Sequence, residues 1–319
     1  MACWFHAIFN HIQKGTLHMT SKIVWIAVAV SLLTAGGRGT SALADESPDE
    51  VALIATLEGD SDWLAKQEAC RALRRVGTAK AVPALEELLV DEKLSHMARF
   101  ALESMSCDEA SAALRHALPK ASGLPKVGIV ISLGARSDTE ATPLLAALLH
   151  EQDGDLASAA AGALGRIATT DAVKALLDVS NAVGESVRLA VAEGLLAAGQ
   201  RMTREGRGDE AAPVYEALLD AAWPEYVRMG AFRGLAYAQP QQAPERLIGA
   251  LKGDAPSFRD LAAETIAETG DEASTKVYAA ALPNLPVAGQ VALLRGLAGR
   301  ADTTARPAVA AALDNADTN

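Results

Sequence analysis

A leucine-centred pattern recurs along this chain at a nearly constant spacing, and it constrains the fold more than any other feature. An apolar residue directly preceded by a small one stands at eight places, which we call the anchors: Leu73, Leu102, Leu133, Leu164, Leu195, Leu235, Ile266 and Leu297. Successive anchors are 31 residues apart in five of the seven steps; the first step is 29 residues and the step from Leu195 to Leu235 is 40. A fixed period of this length indicates a repeat architecture.

The residues around the anchors predict helices. Four positions before each anchor the residue is again apolar: Ala69, Ala98, Ile129, Ala160, Val191, Ala231, Ala262 and Leu293. Residues four apart lie on the same face of an α-helix, so each pair marks the buried stripe of one helix, the anchor helix. The small residue directly before each anchor allows a neighbouring helix to approach closely.

A second, partner helix is predicted between successive anchor helices. It carries a large apolar residue at matching places: Leu85, Leu114, Leu145, Leu176, Leu218, Leu247 and Tyr278, with Ile54 and Val309 as the equivalents at the two ends. A unit of two helices cannot bury both faces alone, so neighbouring units must stack. Residues 305–319 supply one more partner helix with no anchor helix after it, and this partly covered helix offers a surface for self-association.

Two stretches carry a resemblance to a known family. Residues 60–91 (DSDWLAKQEACRALRRVGTAKAVPALEELLVD) and 154–179 (GDLASAAAGALGRIATTDAVKALLDV) resemble the short HEAT-like repeat of phycobilisome lyases and many bacterial proteins. The resemblance extends over 49–313 and implies an all-α fold, an α-solenoid of about eight stacked HEAT-like repeats of ~31 residues that ends in an unpaired helix. Scaffolds, lyases and hydroxylases all use this repeat, so the resemblance implies no single activity.

The first 44 residues differ in kind from the repeats. Lys22 precedes an apolar run over 23–33, and small residues at Ala42 and Ala44 come before Asp45. This order is typical of a secretory signal peptide, with Met19 as the start and cleavage after Ala44. We therefore divide the chain into a signal peptide, 1–44, and a repeat solenoid, 45–319, and expect export to a bacterial periplasm or the extracellular space. A retained membrane anchor is the alternative, although the run is short for a bilayer.

Charge narrows the class of partner. The first 44 residues hold three of the 29 basic residues and none of the 40 acidic ones, so the remainder has a net charge of −14. Such a surface disfavours binding to nucleic acid and to anionic membranes. Cys70 and Cys107, the cysteines after Ala44, fall at different heights in the predicted stack, and we expect two free thiols rather than a disulfide.

Catalytic and metal-binding patterns are missing from the sequence. After Ala44 the histidines are His96, His116 and His150, one per repeat, whereas a zinc or di-iron site needs several ligands clustered at helical spacing. The HEAT-like deoxyhypusine hydroxylases use several His-Glu pairs, and this chain has one, His150-Glu151. No phosphate-binding loop or nucleophile motif is present either. We therefore predict no catalytic residue, no metal and no cofactor, and expect that the chain is not an enzyme.

A basic column stands seven residues before the anchors in five of the eight units: Lys66, Lys126, Arg188, Arg228 and Arg259. Acidic residues stand just ahead of it in most units. HEAT repeats commonly join neighbouring units by a ladder of acid-base pairs, and this column resembles one, so we interpret it as structural. A basic stripe that binds an anionic ligand is the alternative interpretation.

Two surfaces are candidates for binding a protein partner. The first is the outward face of the anchor helices, which carries residue types common in binding hot spots: Arg71, Arg75, Phe100, Arg233, Tyr237 and Arg295. The second is the insertion that makes the 40-residue step, GQRMTREGRGDEAAP over 199–213, which we predict to protrude as a loop bearing Arg201, Arg204 and Arg207. A tolerated change of length is the alternative for this insertion.

These observations favour an exported, non-enzymatic HEAT-repeat scaffold that mediates protein-protein interaction. The alternative is an accessory repeat module of a larger secreted enzyme, acting on carbohydrate or carrying haem, whose downstream domain is absent from this chain.

Overall fold

The computed structural model describes residues 49–180, 182–300 and 302–316, and these ranges contain helices and turns with no β-strand. The predicted signal peptide, residues 1–44, lies outside the described residues. Two sets of helices alternate. The anchor helices are α2 (Trp63–Val76), α4 (Ser95–Ser104), α6 (Gly123–Ala135), α8 (Gly154–Ile167), α10 (Glu185–Arg204), α12 (Glu225–Ala238), α14 (Pro256–Glu268) and α16 (Val287–Arg300).

The partner helices come between and around them: α1 (Glu50–Glu58), α3 (Val82–Glu87), α5 (Asp108–Ala117), α7 (Thr142–Leu148), α9 (Thr170–Val179), α11 (Gly208–Ala217), α13 (Ala243–Lys252), α15 (Glu272–Ala281) and α17 (Arg306–Ala316). Short 3₁₀ turns flank some of them: Ala79–Ala81, Leu88–Val90, Thr139–Ala141, Leu282–Asn284 and Thr303–Ala305. Eight helix pairs followed by an unpaired helix confirm the predicted α-solenoid over the residues that the structure describes.

Capping residues set the ends of many helices. Helix α2 begins after Asp62, whose carboxylate accepts a hydrogen bond of 2.8 Å from the amide of Ala65, and it ends where the amide of Gly77 bonds Leu73 O at 2.7 Å. Asp153 and Thr169 cap α8 and α9 in the same way. Each cap satisfies an amide that the helix itself leaves free. The boundaries of these helices are therefore encoded locally.

The anchors form the core of the stack, as predicted. All eight are buried, with at most 4% of the residue exposed, and the partner-helix leucines and Tyr278 are fully buried. Neighbouring anchor helices pack directly on one another, and the partner helices α5, α9, α11 and α13 each contact the anchor helices before and after them. Ile54 and Val309, in the first and last described helices, are partly buried and pack against the neighbouring core.

Small residues bring the backbones of α8 and α10 into contact. A Cβ atom at Gly165 would lie 2.4 Å from Gly194 O, and one at Gly194 would lie 2.6 Å from Ala161 O. Neither position has room for a side chain. The small residue before the anchor thus has the predicted role, because it sets how closely two anchor helices can stack.

The buried core separates into two clusters at the junction of α12 with the helices that follow. Aromatic and polar contacts join the two sides instead. The rings of Phe232 and Phe258 meet edge to face with centroids 5.5 Å apart, and Tyr237 donates a hydrogen bond of 2.6 Å to Glu268. Ser257 also donates to Glu225 across this junction. An aromatic pair and two polar contacts therefore join the two clusters between α12 and α14.

Both cysteines of the described region are free thiols, as predicted. Cys70 is fully buried in α2, and burial raises the pKa of its thiol to about 11. Cys107 is partly exposed ahead of α5.

The last helix leaves an open apolar cleft of about 460 Å³ between α16 and α17. Leu294, Leu297, Ala298 and Val309 contribute to its lining. The side chain of Leu313 lies outside the described part. Self-association through this helix stays a prediction.

Candidate functional site

The 40-residue step lengthens a helix instead of forming a loop. Helix α10 continues nine residues beyond its anchor Leu195, whereas α8 stops three residues beyond Leu164. The difference adds about 9 Å of helix at 1.5 Å per residue. A tight turn over 205–207 then leads into α11. The prediction of a protruding loop over 199–213 is therefore wrong.

Apolar burial explains why these residues are helical. Met202, Ala211 and Ala212 are buried, so the apolar stripe of α10 and α11 continues through the insertion. Gly199 lies against the ring of Tyr215, where a Cβ atom would come within 2.7 Å of the ring. The extra turns are thus held by packing, and they carry Arg201 and Arg204 up one side of the solenoid.

An open cleft of about 450 Å³ lies where the extra turns of α10 stand beside the ends of α6 and α8. We call it the arginine cleft. Its lining is Gly134, Ala135, Ser137, Arg166, Ala197, Gln200, Arg201, Arg204 and Glu205. The first residues leave space because they are small, and the three arginines surround that space with positive charge. The cleft lies on the outward face of the anchor helices.

Arg201 is fixed by contacts with three elements. Its guanidinium donates to Ser137 Oγ at 2.6 Å, to the carbonyl oxygen of Arg166, and to Glu205 Oε1 at 2.7 Å. Arg207 donates to the other oxygen of Glu205 at 3.2 Å, to Glu210 at 2.7 Å, and to Ala168 O at 3.3 Å. These hydrogen bonds lower the pKa of Glu205, with the one from Arg201 contributing most. Arg201 and Arg207 therefore join units and are not free for a partner.

Arg166 and Arg204 differ from Arg201 in having no acidic partner among the described residues. Arg204 makes one long hydrogen bond, of 3.4 Å, from Nε to Gln200 O, and both residues are exposed. A guanidinium presents a planar set of donors that matches a carboxylate or phosphate. The arginine cleft thus offers two unpaired guanidinium groups beside a third that is locked in place.

A second, polar cleft of about 630 Å³ adjoins the first and shares Ala135 and Ser137 with it. Its centre is Arg115, which donates to both oxygens of the buried Asp138 at 2.5 and 2.6 Å and pairs with Glu140 at 2.8 Å. Asp108 and Glu103 add further carboxylates to the lining. The two neighbouring clefts therefore carry opposite charge.

Most of the predicted outward residues already have partners within the chain. Arg71 pairs with Glu68 at 2.9 Å, and Arg295 pairs with Asp260 at 3.3 Å. Arg233 and Tyr237 both bind Glu268. The pKa of Tyr237 is raised, first by its partial burial and then by this hydrogen bond.

The remaining two outward residues are more accessible. Phe100 is half exposed, with the guanidinium of Arg74 5.7 Å from its ring centre, and Arg75 is exposed. Their role in binding stays a prediction.

The basic column does not form the predicted ladder of acid-base pairs. Among the ion pairs of the described residues, none involves Lys66, Lys126, Arg188, Arg228 or Arg259. The arginines meet rings and carbonyl groups instead.

Arg188 lies 4.4 Å from the ring centre of Trp223 and donates to Ala222 O at 2.9 Å. Arg228 lies 5.7 Å from the ring centre of Phe258, and Arg259 donates to Gly253 O at 2.8 Å. All three arginines are partly buried; Arg188 and Arg228 contact the next unit, whereas the carbonyl that Arg259 bonds lies six residues before it in the chain. Arg188 and Arg228 thus join neighbouring units through rings and a carbonyl group, which is different chemistry from the predicted ladder.

Two arginines that join units were missed. Arg136 donates to the carbonyl oxygens of Leu102 and Met105 at 2.5 Å and of Cys107 at 2.8 Å, and so satisfies the end of α4. Arg300 bonds Ile266 O and Asp271 O at 2.9 Å, and also Thr269 O, beyond α14. Both stand three residues after an anchor. That shared position was the signal available in the sequence.

Two further properties concern only the described residues. No group of three or more His, Cys, Asp or Glu side chains lies close enough together to bind a metal ion. None of the helices combines the length and the apolar character needed to cross a bilayer.

The fold and the two clefts indicate the class of protein. It is an α-helical repeat protein that presents an extended surface. Within that class, residues 111–196 match the family model described as HEAT repeats. Over 111–196, the recognition of a HEAT-like repeat is therefore confirmed. No curated protein matches the chain significantly.

Two of the solved structures that are similar to this chain have informative names. One is human deoxyhypusine hydroxylase in complex with glycerol, at 22% identity and a TM-score of 0.39, covering 75% of this chain and 91% of that one. The other is the complex of CpcE and CpcF of phycocyanin lyase from Nostoc sp. PCC7120, at 19% identity and a TM-score of 0.34, covering 89% of this chain and 97% of that one.

Both of these structures belong to enzymes by name. The prediction that this chain is not an enzyme was drawn from missing motifs. These two matches contradict it.

Proposed function

We propose that this chain is an exported scaffold that binds another protein on the outward face of its anchor helices. The observation that carries the proposal is the arginine cleft, where unpaired guanidinium groups of α8 and α10 surround small residues. Hydrogen bonds across units hold the surrounding helices in place, so a partner meets a preformed surface and little ordering cost opposes binding. The stack of eight helix pairs extends this surface well beyond one cleft.

Export rests on the sequence pattern of residues 1–44 and places the protein in a bacterial periplasm or outside the cell. The net charge of −14 after Ala44 supports a protein partner over nucleic acid. Fractionation of cells expressing the full-length chain, with sequencing of the N-terminus, tests this part. Export predicts a processed chain that begins at Asp45. An unprocessed chain in the cytosol would contradict it.

Affinity capture tests the binding function. The full-length chain is immobilised and exposed to an extract of the compartment to which it is exported. A protein partner should be retained reproducibly by the wild type and lost from the double variant Arg166→Glu/Arg204→Glu. The matched control is Lys174→Glu/Lys252→Glu, which makes the same change of charge on exposed residues of α9 and α13. Equal capture by all three chains would contradict binding at the anchor-helix face.

A second candidate is an accessory repeat module of a larger secreted enzyme. The open apolar cleft beside Leu294 and Val309 supports it, because such a surface suits docking of a further domain. Sequencing the gene beyond codon 319 tests this candidate. A reading frame that continues into a catalytic domain supports it, and an unrelated downstream gene argues against it.

A further inference from the structure

We infer that the arginine cleft is a site for an acidic segment of the partner protein, with glutamate or aspartate side chains bound by Arg166 and Arg204. The inference rests on the proposed binding function and specifies the ligand chemistry of that site. Three arginines line this cleft, and the side chain of only one of them, Arg201, bonds other helices among the described residues.

The local charge balance favours an anionic ligand. Glu205 is the one carboxylate in the lining, and both of its oxygens already accept hydrogen bonds from Arg201 and Arg207. The positive charge of Arg166 and Arg204 is therefore left uncompensated on a chain that is strongly acidic overall. Repulsion from that net charge is largely screened by salt beyond about 10 Å, whereas direct contacts inside the cleft are screened less.

The shape of the cleft favours an extended peptide. Gly134, Ala135 and Ala197 leave the space between the arginines open, so the backbone of a peptide can approach the helices. The Gln200 side chain in the same lining can donate to a peptide carbonyl or accept from a peptide amide. An isolated phosphate ion would occupy only a small part of about 450 Å³.

The neighbouring cleft favours one orientation of the bound segment. It shares Ala135 and Ser137 with the arginine cleft and presents Asp108, which makes no ion pair among the described residues. A segment that places acidic residues in the arginine cleft would thus place its next residues beside a carboxylate. Basic or hydroxyl side chains are favoured there, and acidic ones are disfavoured.

The test uses the full-length chain and a fluorescein-labelled peptide of five glutamates followed by Gly-Ser-Lys, with binding measured by fluorescence anisotropy. Arg166→Gln and Arg204→Gln should each weaken binding about tenfold, since each removes one charge-assisted contact. Both variants should retain the fold, because Arg201 bonds the backbone oxygen of Arg166 and not its side chain. Lys174→Gln is the matched control: it removes one charge from an exposed residue of the partner helix α9, away from the anchor-helix face.

Binding of the peptide that weakens in both cleft variants and not in Lys174→Gln supports the inference. Equal weakening in all three variants, or displacement of the peptide by equimolar inorganic phosphate, would overturn it. Absence of peptide binding, with capture of a protein partner intact, would overturn the ligand assignment and leave the proposed function standing. Loss of both would remove the proposed function as well.

Discussion

Arg201 and Ser137 are joined by a hydrogen bond of 2.6 Å although they lie 64 residues apart in the sequence. The bond links the extended end of α10 to the turn after α6, and so it spans the whole of the unit between them. It exists because α10 continues past its neighbours at the 40-residue step. The 40-residue step in the repeat thus builds a wall of the arginine cleft and also holds that wall in place.

The contact between α8 and α10 gives the first prediction. Gly165→Ala should destabilise the chain by about 1–3 kcal/mol, because a methyl group would meet a backbone oxygen that cannot move without shifting a helix. Gly162→Ala, in the same helix but with open space around it, should instead stabilise the helix by about 0.5–1 kcal/mol. Chemical denaturation measures both. A similar effect at the two positions would contradict the close approach.

The second prediction concerns the cap that Arg136 makes beyond α4. Arg136→Ala should lower the free energy of unfolding by about 2 kcal/mol, since its guanidinium bonds three carbonyl groups and only that of Leu102 also accepts an amide, from Met105. Arg136→Lys should recover little of this loss because a single ammonium cannot reach all three. Thermal unfolding compares these variants with Arg75→Ala, an exposed arginine near another anchor, which should change little.

The third prediction separates the observed contacts of the basic column from the acid-base ladder. Arg188→Gln should cost about 1 kcal/mol through loss of its stacking on Trp223. The cost should be the same in about 0.05 M and about 0.5 M salt, because no carboxylate pair is available to be screened. Lys126→Gln, in the same column, is the control and should have little effect. A loss of stability that is smaller in high salt would instead support the acid-base ladder.

Thiol reactivity supplies the fourth prediction. The pKa of Cys70 is raised to about 11, so at pH 8 almost none of its thiol is ionised, and the side chain is fully buried. A Cys3→Ser chain should therefore show one reactive thiol at pH 8, the partly exposed Cys107. Cys70 should react only at the rate of unfolding. Rapid reaction of two thiols in the folded chain would contradict this burial.

The repeat could be predicted from the sequence, but the candidate site could not. The anchors and the partner-helix leucines are confirmed because periodic burial is a local pattern that each unit repeats. The course of α10 was mispredicted because Arg201, Arg204 and the nearby glycines suggested a loop, whereas burial of Met202 and the packing of Tyr215 on Gly199 keep the segment helical. Those contacts come from other helices, and spacing alone does not show them.

Side-chain partners across units were equally hidden. Arg188 and Arg228 were correctly placed at the seams, but whether a carboxylate, a ring or a carbonyl faces them depends on how far one unit turns relative to the next. Arg136 and Arg300 share a position after the anchor, yet they occur in only two of eight units. A column so sparsely filled gives little signal in one sequence.

The central claim is that a partner protein binds at the arginine cleft on the anchor-helix face. Site-specific photo-cross-linking tests it most directly, with a photoreactive residue placed at Gln200 in the cleft or at Lys174 on the partner helix α9. The account predicts that the captured partner is cross-linked from position 200 and not from position 174. Cross-linking from position 174, with none from position 200, would contradict it.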